Sequence, residues 1–314
     1  MAERILVTGG LGYLGSILCE HLLAAGHKVT VLDNLMYGES QGLFHLCAHP
    51  KFDFIKGDVR DESTMKQALR DADSVIHLAA IVGAPACDRD PQLTTSINLD
   101  AVRLLQRLRS PRQFVIYPNT NSGYGATTGE TFCTEDSPLH PISLYGRTKV
   151  DAEKLLLDAG NAVTLRLATV FGMSPRMRLD LLVNHFVYSA YKDGYIVIFE
   201  KDFKRNFIHI RDVADCMLFA LANRDRLAGR PYNLGLDSAN LSKEELALKV
   251  KEYVPNFYIH FAPIGQDPDK RNYIVSNKRL KDAGFEARRG LDQGIQELLK
   301  GYRMMGRGQF KNAG

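Results

Sequence analysis

The sequence predicts an α/β fold, a doubly wound parallel sheet followed by a smaller mixed α/β lobe, and three observations carry that expectation. Apolar strand-like runs alternate with stretches long enough for crossover helices through the first half of the chain. The first run opens into a glycine-rich turn, and the second is followed by Asp33. With 314 residues and 45% hydrophobic content, the chain can bury a full core.

Taken in order, the pattern predicts strands at Ile5–Thr8, Lys28–Leu32, Asp53–Lys56, Ser74–Leu78, Gln113–Tyr117 and Ala162–Leu167. Helices are expected between them at Gly12–Ala25, Glu62–Asp71, Pro91–Arg109 and Leu144–Ala159, each sufficient for a right-handed crossover between parallel strands. After Pro175 the order loosens. Helices are expected near Leu179–Lys192, Ile210–Asn223, Lys243–Tyr253 and Gly290–Tyr302, with short strands near Ile196–Phe199, Tyr232–Leu234 and Tyr258–Phe261. The division is therefore residues 1–174 for the first domain and 175–314 mainly for the smaller mixed lobe, with the chain crossing back once. Gly306–Gly314 is polar and glycine-rich, and fraying is expected there.

Composition narrows the function. Net charge is only +4 and the basic residues are scattered, so no nucleic-acid partner is expected. Five widely spread cysteines without a Cys-x-x-Cys suggest reduced thiols in a cytoplasmic setting. The first residues enter an apolar strand without a long apolar stretch, so neither a signal peptide nor a membrane span is expected. His45, Cys47 and His49 carry metal-ligating atoms, but no second ligand cluster accompanies them. The expectation is capping or packing, and no metal.

The turn Thr8-Gly9-Gly10-Leu11-Gly12-Tyr13-Leu14-Gly15 lies between a strand and a helix, the context a pyrophosphate-binding loop requires. Two registers fit: Gly10, Gly12, Gly15 and Gly9, Gly12, Gly15. A carboxylate at Asp33 accepts hydrogen bonds from an adenosine ribose and repels a 2′-phosphate, which favours NAD over NADP. Tyr145 and Lys149 then supply chemistry. Helical spacing puts both on one face, where an ammonium and a cationic nicotinamide ring favour the phenolate, and Tyr145 takes a proton from a hydroxyl. Tyr188 and Lys192 repeat the spacing, but no Thr-bearing strand end precedes them, so a packing or surface pair is expected.

With Asp33-Asn34, Gly57-Asp58-Val59, His77-Leu78-Ala79-Ala80, Asn98 and Thr120 added in sequence, the chain resembles the extended short-chain dehydrogenase/reductase family over nearly its whole length. That resemblance implies a Rossmann-like fold and NAD, with Gly9, Gly12, Tyr13, Leu14, Gly15, Asp33, Asn34, Asp58, Val59, Leu78, Ala79, Ala80 and Asn98 around the cofactor. Tyr145 and Lys149 also face it, and with Thr120 they form the implied catalytic set. A nucleotide-diphosphate sugar is the implied substrate. Arg205 and Arg271 match the family's diphosphate contacts, and Asn184 matches an asparagine near the phosphates, with Thr169 and Arg178 on the same side. The Gly-Asp usual after the second arginine is Asn272-Tyr273 here. A homodimer is also implied.

The two residues after Thr120 are diagnostic within that family. Sugar-nucleotide 4,6-dehydratases carry Asp-Glu there, whereas this chain has Asn121 and Ser122. An amide and an ordinary serine do not supply that acid-base work near neutral pH, so water elimination is disfavoured. The decarboxylase-type glutamate and the cysteine common in C5 epimerases are also replaced by Ser122. Cys87 belongs to another loop, where a packed thiol is expected. What remains is redox at a sugar carbon, most naturally C4, giving either a net 4-dehydrogenase or a 4-epimerase. The phrases around Thr120, Ser174–Asp180 and Asp267–Arg271 are similar to a branch containing GDP-heptose 4-dehydrogenases of bacterial capsule synthesis, which favours a GDP sugar. An idle NAD-binding regulator is the rival from another class, and retention of Thr120, Tyr145 and Lys149 argues against it.

Overall fold

Seven parallel strands form the central sheet of the computed structural model, which describes residues 2–38, 41–127, 132–265 and 271–305. They are β1 (Arg4–Thr8), β2 (Lys28–Asp33), β3 (Phe52–Lys56), β4 (Ser74–His77), β5 (Phe114–Thr120), β6 (Ala162–Leu167) and β7 (Pro231–Leu234). Their spatial order is β7-β6-β5-β4-β1-β2-β3, and every pairing is parallel. The order reverses between β1 and β4, the switch point beside which open α/β sheets bind ligands.

Alternation along the strands feeds two buried layers. Ile5, Val7, Val29, Val31, Ile76 and Ile116 join the first helix, Tyr13–Ala24, and the helix Ile210–Ala222 in one core cluster. Leu6, Leu32, Val75, Val115 and Tyr117 face Met65, Leu69, Val102, Leu105, Ala152 and Leu156 in the other. Burial on both faces explains why these strands read as continuous apolar runs.

Beyond end shifts of one or two residues, three expected elements differ in the structure, and each difference has a local cause. Strand β5 continues through Pro118 and Asn119 to Thr120. Its ladder to β4 ends at Ile116, and from Tyr117 onward it pairs only with β6, an edge-like situation that tolerates proline. The helix expected over Pro91–Arg109 is instead Pro91–Thr95, a π-helical turn Ser96–Asp100 and Ala101–Leu108. Such a π turn marks a place where a side chain is diverted to a particular task, and here it carries Asn98. The helix expected from Leu179 starts at Leu182, because Arg178 and Asp180 pair with each other in the preceding loop.

The strand expected near Tyr232, assigned to the second lobe by position in the chain, is the seventh strand of the large sheet, beside β6. Around the sheet's C-terminal edge lie Thr169–Phe171, Lys204–His209 and Asn240–Ser242 as a three-stranded sheet, and Tyr195–Ile198 paired with Tyr258–Phe261. No helix among the described residues is long and apolar enough to cross a membrane. Gly306–Gly314 and Asp267–Lys270 lie outside the described residues.

Candidate active site

The glycine turn is shaped for close approach. Gly9 has φ +70°, and a Cβ there would lie 2.7 Å from the Ala79 nitrogen, so the turn sits against the end of β4. At Gly15 a Cβ would lie 2.6 Å from the Gly10 backbone, whereas at Gly12 it would meet only the Gly9 carbonyl oxygen at 3.1 Å. The loop is thus closed beneath and bare at Gly12. Gly12 caps the first helix without a side-chain bond, which leaves that helix's N-terminal N–H groups for an anion. A pyrophosphate fits this cradle.

Asp33 organises the same end. Its Oδ2 accepts from the Leu11 N–H at 3.0 Å and its Oδ1 from the Leu35 N–H at 2.9 Å. Nearby, the Asn34 amide donates to Asp58 at 3.2 Å, and Arg60 grips the same carboxylate, holding its pKa at about 2. Val59 is buried beside them. The end of β4 delivers half-buried Leu78, Ala79 and Ala80 to the loop, with the Ala79 N–H donating to Thr8 Oγ1 at 3.3 Å.

Four residues expected to touch ligands are turned inward. The Tyr13 hydroxyl donates to the Gly172 carbonyl at 2.6 Å, so this residue offers the cradle its backbone and not its phenol. Leu14 packs against the core. Asn98 grips Ile81 with both ends of its amide, accepting its N–H at 2.8 Å and donating to its carbonyl at 2.9 Å. It braces the segment carrying Ala79 and Ala80. Asn184 is fully buried, donates to the Tyr13 hydroxyl and the Arg178 carbonyl, and accepts from the Gly172 N–H. With these groups engaged, Asn184 ties the cofactor side to the second lobe and does not present itself to a phosphate.

The catalytic helix, Leu144–Asp158, starts at Ser143, whose Oγ accepts from the Gly146 N–H at 3.1 Å. The Tyr145 ring packs against Ile81, Cys87 and Ile97, and its phenol hydrogen-bonds with the Thr120 hydroxyl. Burial pushes the Tyr145 pKa up to about 12, opposed chiefly by the positive charges of Arg178 and Arg271. Burial also draws Lys149 down to about 7, against the opposing carboxylate of Glu153. Lys149 Nζ stands 3.8 Å from the centroid of the Tyr117 ring. Beside the ammonium and nicotinamide charges expected from the sequence, the guanidinium groups of Arg178 and Arg271 act on the phenol. His77 stays neutral, held by burial and by Lys149 at about 3, with Nδ1 2.9 Å from Thr8 Oγ1.

On the substrate side, Thr120 Oγ1 donates to Ser122 Oγ at 2.9 Å and accepts from the Ser122 N–H at 3.1 Å. Arg271 also donates to Ser122 Oγ, which places it against the catalytic loop. Asn121 is fully buried, and neither end of its amide has a hydrogen-bond partner among the described residues. Arg205 is buried on the strand Lys204–His209, with its guanidinium 5.5 Å from the Tyr273 ring centroid. Thr169 begins the strand paired with Arg205's strand, and Arg178 is ion-paired with Asp180 at 2.5 Å. Cys87 is packed, its thiol raised to about 11 chiefly by burial.

The bland readings have partners too. His45 reaches Glu20 at 2.7 Å, and His49 accepts from the Lys51 N–H at 3.2 Å. Tyr188 stacks edge-on against Tyr302 at 5.3 Å. Sequence reading missed Asn119, Glu153 and Arg166, which form a buried polar cluster behind the catalytic helix. Only the four-residue step from Lys149 to Glu153 hinted at it.

Comparison with known proteins gives the same picture. The chain is 29% identical to UDP-glucuronic acid decarboxylase 1 of Arabidopsis thaliana, over 96% of this chain and 70% of that protein. It is 29% identical to UDP-glucose 4-epimerase of Lactobacillus helveticus, over 79% and 81% respectively. Among solved structures, UDP-glucuronic acid 4-epimerase from Bacillus cereus, in complex with UDP-glucuronic acid and NAD, superposes with a TM-score of 0.86 at 23% identity. That match covers 96% of this chain and 99% of the other. The model of the NAD dependent epimerase/dehydratase family matches residues 5–235. The chain therefore belongs to the NAD-dependent epimerase/dehydratase family, and its cofactor is NAD.

Proposed function

We propose that this enzyme oxidises the C4 hydroxyl of a nucleotide-diphosphate sugar, and that the substrate is GDP-D-glycero-α-D-manno-heptose in surface-polysaccharide synthesis. The carrying observation is the Thr120 hydroxyl on the Tyr145 phenol, followed by Asn121 and Ser122 in place of an acid-base pair. In this reading Thr120 orients the sugar hydroxyl, and Tyr145, as phenolate, accepts its proton. Arg178 and Arg271 favour that phenolate against burial, and protonated Lys149, one helical turn away, adds its charge to theirs. NAD, when bound, supplies the hydride acceptor and a positive ring charge. Ser122, already joined to Thr120 and Arg271, holds the loop and leaves C5 without a base. Arg205 and Arg271 suit the two phosphates.

A second reading is a 4-epimerase, in which the 4-keto sugar is reduced again on its opposite face; the likeness to UDP-glucose 4-epimerase favours it. A homodimer through the segments Pro91–Arg109 and Leu144–Ala159, in a cytoplasmic setting, belongs to the same proposal. The test is absorbance near 340 nm with GDP, UDP, dTDP and CDP sugars. Accumulating 4-keto sugar with stoichiometric NADH selects the dehydrogenase, and inverted C4 product without net absorbance change selects the epimerase. No absorbance change and no altered sugar with any member of the panel would sink the proposal.

A further inference from the structure

Behind the catalytic pair lies a carboxylate that the mechanism above does not use. Glu153 follows Lys149 by one helical turn and is 3% exposed. Its Oε2 accepts from Asn119 Nδ2 at 2.7 Å and from Thr164 Oγ1 at 2.8 Å, while Arg166 donates to Oε1 at 2.7 Å. Asn119 is the hinge of the arrangement. Its Oδ1 accepts from the Thr120 N–H at 2.8 Å. One carboxylate thus reaches the Thr120 strand end through Asn119 and lies on the helix that carries Tyr145 and Lys149.

We propose that Glu153 is the positioning residue of the active site, fixing Thr120 through Asn119 and keeping a charge on the buried Lys149 ammonium. Orientation supports it: Tyr145, Lys149 and Glu153 succeed one another at four-residue steps, so they form one ladder along the helix. Electrostatics supports it independently. Lys149 has around it the ring of Tyr117 on β5, His77 on β4 and the Cys87 thiol, with Tyr145 one turn away on its own helix. His77 is neutral, the Cys87 thiol is protonated near pH 7, and the Tyr117 phenol is raised further by burial. Glu153 is the carboxylate among the groups acting on Lys149, and it opposes the burial that strips the proton. Arg166 stops the carboxylate from standing alone: the pair is 2.7 Å apart and buried at both ends. Arg166 is itself anchored by donating to the Tyr124 hydroxyl and the Glu135 carbonyl, both at 3.1 Å.

This inference rests on the catalytic roles proposed above for Thr120 and Lys149, yet it can be tested apart from the substrate. The measurement is Lys149 ionisation, followed by NMR of lysines labelled at Nζ and Cε in the full chain, with Lys149→Met to assign the signal. Glu153→Gln retains the shape and removes the charge. The expected result is a titration midpoint lowered by about one pH unit, a tenfold change, as for loss of an opposite charge nearby. Where turnover is measurable, its alkaline limb shifts down by the same amount.

Should Glu153→Gln not fold because Arg166 is stranded, the double variant Glu153→Gln/Arg166→Gln replaces the ion pair with neutral amides and must show the same shift. An unchanged midpoint in either folded variant overturns the proposal. A shifted midpoint in a chain that turns over no nucleotide sugar upholds the effect of Glu153 and discards the substrate reading instead.

Discussion

Replacing Lys149 with methionine should change how stability depends on pH, because the buried ammonium is a destabilising charge. Lys149 is 4% exposed, and burial draws its pKa from 10.5 to about 7. Between those values the unfolded chain binds a proton that the native chain has released, so this group makes the native protein gain stability as pH rises from about 7 to 10.5. The slope approaches ~1.4 kcal/mol per pH unit, with a ceiling of about 5 kcal/mol across the window. Methionine keeps the apolar stem and has no charge to bury. The advantage of Lys149→Met over the parent chain should therefore be greatest at pH 6, then shrink by about 1 kcal/mol per unit above pH 7. Urea denaturation of the NAD-free protein at pH 6, 7, 8 and 9 measures this, since the difference between variant and parent cancels the other titrating groups. Parallel stability curves would show that Lys149 keeps its ordinary pKa and would refute the reasoning.

Three further outcomes follow from the site. Tyr145→Phe should lower turnover by about 10²–10⁴-fold, the usual worth of a positioned proton acceptor, while NAD affinity measured by calorimetry changes little. Asp33→Ala removes the bonds to the Leu11 and Leu35 N–H groups as well as the ribose acceptor, so NAD affinity should fall tenfold or more, by about 1.5–3 kcal/mol. Discrimination against NADP should narrow with it, and parallel titrations with both dinucleotides check this. Asn98→Ala strands the Ile81 N–H and leaves its carbonyl only the Cys87 thiol, and should cost about 1–3 kcal/mol in urea unfolding; a change under 0.5 kcal/mol would mean that water replaces the amide.

The sheet was legible because its signals are local. Apolar runs placed β1 and β2, the glycine turn followed β1, and the catalytic helix begins at Leu144, where the pattern put it. Asp33, Thr120, Tyr145 and Lys149 were recognisable by their positions at element ends or on one helix face. Pro118 concealed the last part of β5, because tolerance of a proline depends on which neighbouring strand has already ended. The π turn at Ser96–Asp100 was hidden for a similar reason: Asn98 answers to Ile81, seventeen residues away. Asn184 was assigned to the phosphates by resemblance, but its partners Tyr13 and Gly172 become visible only once the two lobes meet. Glu153 was overlooked because a glutamate on a helix ordinarily faces water, and the residues that bury it come from β5 and β6.

The most direct test of the account follows a deuterium placed at C4 of the accepted nucleotide sugar, with the reaction run in ordinary water and its mirror in deuterated water. C4 redox by Tyr145, Thr120 and Lys149 predicts that the label passes to the nicotinamide or returns to C4, and that solvent deuterium never appears at C5. Solvent deuterium at C5, with the C4 label left in place, would contradict it.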